Sequence, residues 1–145
     1  MATIVVGVDG SDDAHSALRF AIEEAQLRDW SLRVICAWEP PVAEWGEFPP
    51  PEEKLTRFRR EAEEVLARAA EIVESEAANV EFERLAPEGL PAKVLLEHSS
   101  DAAMLVVGNK GHGAVASLLL GSVSQEVVQK AACPVVVVPH PGSSE

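Results

Sequence analysis

Four short runs of almost purely apolar, largely β-branched residues punctuate the chain, at 4–8 (IVVGV), 32–37 (LRVICA), 104–107 (MLVV) and 134–138 (PVVVV). A strand with one face in water alternates apolar and polar residues, whereas a strand buried on both faces does not. These runs therefore constrain the chain to a parallel sheet covered on both sides. A fifth segment, 80–85 (VEFERL), mixes charge into a strand-like pattern, as a half-exposed edge strand would.

Between the runs the texture is helical. Ala14, Ala17, Leu18, Ala21, Ile22 and Ala25 recur at three and four residues and predict a helix over 12–28. Ser11 is placed as its N-cap, with Asp12 and Asp13 suiting the positive end of the dipole. Leu55, Phe58, Ala62, Val65, Leu66, Ala69, Ile72 and Val73 define a longer helix over 51–77, whose Glu- and Arg-rich outer face is a solvated one. Pro91 opens a third helix running to about residue 100, and a fourth begins near Ser122 and ends before Pro134. Strict alternation of strand and helix means an α/β fold, a doubly wound open parallel sheet of five strands with helices on both faces. At 145 residues the chain is one domain's worth. It is expected to occupy 1–140, with 141–145 a flexible tail and 38–51, carrying five prolines, the longest loop.

Charge narrows the partners. Twelve Lys and Arg against 24 Asp and Glu give a net charge of -12, the opposite of a nucleic-acid footprint and unsuited to anionic membrane surfaces. No apolar run reaches the ~18 residues of a membrane span. The start has no basic region ahead of a long apolar stretch, so a secretory signal is not expected. Cys36 and Cys133 are too few for a disulfide framework. A cytoplasmic location is the expectation.

Sheets of this kind bind ligands beyond the carboxyl ends of their strands. Here those ends carry Val8-Asp9-Gly10-Ser11 after the first strand and Gly108-Asn109-Lys110-Gly111-His112-Gly113 after the fourth, leading through Leu120 to Gly121-Ser122-Val123-Ser124. Glycines between a buried strand and a helix start permit close backbone approach, so successive N–H groups can face an anion. The helix opening at Ser122 adds its unpaired N–H groups and dipole, and Lys110 adds a mobile positive charge. Two plainer readings stand beside this one: Ser122 with Gln125 fits a capping box, and Gly108 is placed to end a strand. Asp9, Asp12 and Asp13 are candidates to hold a Mg²⁺ ion with the phosphates. Asp9 is favoured for that role, and Asp12 and Asp13 are read as dipole complements.

Other motifs lead nowhere. Gly111-x-Gly113-x-x-Ala116 matches the dinucleotide fingerprint formally, but it follows the fourth strand and has no acid ~20 residues on. His15, His98, His112 and His140 lack metal-ligand spacing. A phospho-acceptor receiver domain would need a lysine ending its fifth strand, where this chain has Val138-Pro139. Trp38 is placed to stack on a base, but covering apolar surface is the favoured job.

The spacing Gly108-x2-Gly111-x9-Gly121-Ser122 resembles the nucleotide-binding signature of the universal stress protein family. Three further stretches match that family in order: 4–11 (IVVGVDGS), 89–97 (GLPAKVLLE) and 133–138 (CPVVVV). The resemblance implies a Rossmann-like sheet of order 3-2-1-4-5 with ATP or another adenine nucleotide at its switch point. It puts Asp9 beside ribose and phosphates, Gly108, Gly111, Gly121, Ser122 and Ser124 around the phosphates, and Cys36 and Ala37 beside the adenine. Val8, Gly10, Ser11, Val107, Lys110, Gly113 and Val123 complete the expected cofactor site, with Asp9 as the expected Mg²⁺ ligand. Lys110 stands where the family usually has arginine, and it brings a point charge rather than a fork.

The uncharged run 135–138 would be an open sheet edge, which a second copy pairing antiparallel would cover. The resemblance implies the same homodimer. The function expected is that of a nucleotide-dependent regulatory module in the stress response. A slow ATP hydrolase or nucleotidyl-transfer enzyme and a nucleotide-free structural dimer are the alternatives.

Overall fold

The computed structural model describes residues 2–39, 52–110 and 120–140. Its elements follow one another as β1 (Thr3–Gly7), α1 (Asp12–Arg28), β2 (Ser31–Ile35), α2 (Glu52–Glu76), β3 (Phe82–Leu85), α3 (Pro91–His98), β4 (Met104–Gly108), α4 (Ser122–Lys130) and β5 (Val135–Val138). The strands form a single parallel sheet in the order β3-β2-β1-β4-β5, the Rossmann-like arrangement expected. Most of the expected loop 38–51 and the whole of the expected tail 141–145 lie outside the described residues, as do Gly111 and Gly113.

Successive side chains of a strand point to opposite faces, and here both faces are dry. Ile4 and Val6 of β1, Leu32 and Val34 of β2 and Val106 of β4 pack with α1 and α2. Val5, Ile35, Leu105 and Val107 pack with α3 and α4 on the other side. Each such side chain contributes roughly 1.5–3 kcal/mol by leaving water, so the unalternating runs are the condition for two cores on one sheet. The polar exception within them, Arg33, has a stated task. Its guanidinium donates to the carbonyl of His98 at the end of α3 (2.9 Å) and pairs with Glu83 across the sheet edge (3.3 Å).

The two sheet margins differ. On β3, Glu83 and Arg84 are exposed, whereas all four valines of β5 are half-buried and uncharged. Boundaries shift slightly from expectation. β2 ends at Ile35, so Cys36 and Ala37 lie just past the strand, and β4 includes Gly108. Among the described residues, no helix is long and apolar enough to cross a membrane.

Candidate functional site

Strand order reverses between β1 and β4, and the chain leaves both strands at the same rim of the sheet. Each exit leads into a helix, and the two exits are built differently.

At the β1 exit, Val8 is buried and its N–H bonds the carbonyl of Ile35 at 2.9 Å, which ties the exit to the end of β2. Gly10 turns the chain with φ of 86°, a conformation that costs glycine nothing. The exposed Asp9 carboxylate accepts from the N–H of Ser11 (2.9 Å) and from its hydroxyl. Ser11 Oγ in turn accepts from the N–H of Ala14 (3.2 Å), making Ser11 the N-cap of α1 as expected. Asp9 thus has a local structural task in addition to any ligand. Its charge also reaches Cys36: burial, and secondarily Asp9, pushes that thiol up to about 11. Cys36 is therefore an inert wall of this corner and not a nucleophile.

At the β4 exit the bonds run between distant parts of the chain. Gly108 lies against α1, and a Cβ there would stand 2.7 Å from the backbone carbonyl of Asp13. This is a packing reason for glycine at 108, in line with the plainer reading of it as a strand end. Asn109 donates its N–H to Val138 O (2.9 Å), and its own carbonyl accepts from Gly121 N–H (2.8 Å) and from the buried Ser124 hydroxyl (3.0 Å). Ser124 Oγ also donates to Gly121 O at 3.0 Å, so its proton is committed to closing the ends of the glycine-rich connection. Gly121 is the N-cap of α4, and among the described residues no side-chain bond caps that helix. The capping box is not formed: Ser122 is the first helical residue, and Gln125 donates its side-chain amide to Leu120 O (2.8 Å). Val107 is buried and Val123 half-buried, both in the core beneath α3 and α4, with Ala37 packed against the same core.

Asp13 departs from its reading as a dipole complement. It is 4% exposed, one carboxylate oxygen accepting from the N–H of Lys110 at 2.7 Å and the other bonded by the ring Nδ1 of His140. Asp12 remains exposed, as a dipole complement would. Its phase along the helix betrayed Asp13: it lies on the stripe that continues through Ala17 and Ala21, and a buried acid requires partners. Asn109, read from the sequence only as a variant within the loop and not as a site residue, has its side-chain Oδ1 buried without a partner among the described residues. A crevice beside the β1 exit, between α1 and α2, was not anticipated either. It is lined by Val8, Gly10, Ser11, Ala14, His15, Leu18, Val65, Arg68 and Ala69. Trp38 takes the covering role, packed against the α1–α2 core with its indole N–H on Ala86 O (2.8 Å).

The described residues at this rim can therefore offer main-chain N–H groups at an uncapped helix start, an exposed carboxylate and an unfilled acceptor. They hold no group of three or more metal-ligating side chains, so any ion here would take most of its ligands from water and ligand oxygens.

A family model described as the universal stress protein family matches residues 1–139. A universal stress protein of Thermus aquaticus is 40% identical over 138 residues, covering 94% of this chain and 97% of that one. Universal stress protein Rv2624c of Mycobacterium tuberculosis is 38% identical over 137 residues, covering 94% of this chain and 48% of its own. The chain spans about half the length of Rv2624c and of several other mycobacterial relatives that it matches. Among solved structures, MJ0577 superposes with a TM-score of 0.80 over 98% of both chains, and at 21% identity this likeness speaks for the fold. The Archaeoglobus fulgidus universal stress protein in complex with dAMP gives 0.70 at 30% identity, covering 95% of this chain and 98% of that one. A universal stress protein in complex with cAMP gives 0.71 at 28% identity, covering 96% and 97%.

Proposed function

The chain belongs to the universal stress protein family, and from that premise we propose that it binds an adenine nucleotide, ATP with Mg²⁺, at the rim where β1 and β4 part. The observation that carries this reading is the bare start of α4. A helix leaves its first N–H groups without intrahelical partners, and here no side chain among the described residues caps them. A phosphate supplies what is missing, with the dipole in its favour. Asn109 Oδ1, buried and unpartnered among the described residues, needs a donor, and a nucleotide or its hydrated ion brings hydroxyls and water. Asp9, exposed at the neighbouring exit, fits a Mg²⁺ ion that keeps several waters and takes phosphate oxygens. The ion would also offset the repulsion between a polyanion and a chain of net charge -12. The dAMP and cAMP complexes of relatives support the adenine class.

In this reading the protein is a cytoplasmic regulatory module whose occupied state is what a partner senses. It works as a homodimer joined along β5, whose valines form a margin without charge. Titration calorimetry of the purified chain with Mg-ATP is expected to give a binding heat, and Gly121→Val to weaken it about tenfold or more. Unchanged affinity in that variant would remove the α4 start from the site. Sedimentation at micromolar concentration in ordinary salt is expected to show a dimer, and a monomer there would refute the β5 pairing.

A further inference from the structure

We propose that Asp13 is a positioning residue for residues 109–110 and, through them, for the α4 start, and that His140 holds it in place, so that the end of β5 is mechanically joined to that helix start. The inference rests on the nucleotide-binding reading above and assigns a control element to that same site.

Dipole complementarity does not account for Asp13. An acid serving only a helix start works from an exposed position, as Asp12 does. Burying a carboxylate is costly unless its oxygens are bonded. Asp13 is buried, and both oxygens are spoken for by elements that leave the sheet at the same rim: the Lys110 N–H after β4 at 2.7 Å and the His140 ring after β5. The backbone of Asp13 is also pressed against Gly108, where even a methyl group would not fit. The first turn of α1 therefore cannot slide relative to β4, and the direction in which the main chain leaves β4 is set from two sides. Asn109 is fixed by Val138 and Lys110 by Asp13.

That direction is passed on to α4. The Asn109 carbonyl holds the Gly121 N–H and the Ser124 hydroxyl, so a shift at residues 109–110 moves the α4 amides. A continuous set of bonds therefore joins His140 to the helix start through Asp13, Lys110, Asn109 and Gly121. Such a set has no slack where its members are buried, and His140 is its exposed end, with 53% of its side chain in solvent.

The test uses amide hydrogen exchange at Lys110 in the unliganded full chain, together with calorimetry using Mg-ATP. Asp13→Ala is expected to speed Lys110 exchange about tenfold or more and to weaken Mg-ATP by about tenfold. Asp13→Asn keeps a side-chain oxygen to accept from the Lys110 N–H and a polar group of the same size against the His140 ring. It is expected to retain Lys110 protection and to bind Mg-ATP within about threefold of the natural chain. Should Asp13→Ala fail to fold, His140→Ala carries the test, with a change of about threefold in the same direction in both readouts. Lys110 exchange unchanged in Asp13→Ala, or in His140→Ala where that variant carries the test, overturns the proposal. An unaltered chain that gives no heat with Mg-ATP sinks the nucleotide reading instead, and leaves the exchange data to decide the positioning role.

Discussion

The starts of α1 and α4 face the same rim from neighbouring strands, yet among the described residues one has a side-chain cap and the other has none. At α1, Ser11 caps the helix, Asp9 braces Ser11, and the exposed Asp12 adds an acid to the first turn. At α4 the cap is a glycine without a side chain, and the first turn has no acid. Under the nucleotide-binding proposal, the same topological corner is met by an internal anion in one case and left for an external one in the other. What distinguishes a structural helix start from a binding one is which molecule supplies the acceptor.

The contrast can be broken most severely at Gly108. Gly108→Val should cost roughly 1–3 kcal/mol by overpacking, because the new Cβ meets the Asp13 backbone at 2.7 Å. Urea denaturation measures this, and a neutral result would mean that α1 and β4 are not in contact. Next comes Ser11→Ala, expected to cost about 1 kcal/mol through loss of the α1 cap. Ser122→Asp sharpens the comparison by making α4 resemble α1. It should raise stability by about 0.3–1 kcal/mol while weakening Mg-ATP, and a fall in stability would show that α4 has no bare start to complement. The mildest check is chemical. Burial raises the pKa of Cys36 to about 11 and also raises that of Cys133, where a bond from Ser99 partly offsets it. Alkylation at pH 8 should therefore mark the half-buried Cys133 before Cys36. The neutral Cys36 thiol stabilises the fold fully below the ordinary thiol value of ~8.5. That contribution is lost as pH climbs toward about 11.

Much of this was legible because it is local. The Ser11 cap and the helix over 12–28 follow from residues within one or two turns of each other, and so do the apolar runs that became β1, β4 and β5. The strand order needed the family resemblance, since nothing in an apolar run names its neighbour. Asp13 was misjudged because its partners, Lys110 and His140, lie 97 and 127 positions away. Periodicity shows that a position is buried but not what it will touch. His140 was set aside for the same reason, lacking ligand spacing with any other histidine. Gly108 was placed at a strand end correctly, but the helix pressed against it belongs to another part of the sequence.

The unequal margins of the sheet set a limit on growth. A copy joining along the valines of β5 would leave a β3 at each outer flank, where Glu83 and Arg84 stand in water. In such a pair a third copy would find no unguarded strand to extend, so assembly through this margin would stop at two, and the backbone would offer no route to a polymer.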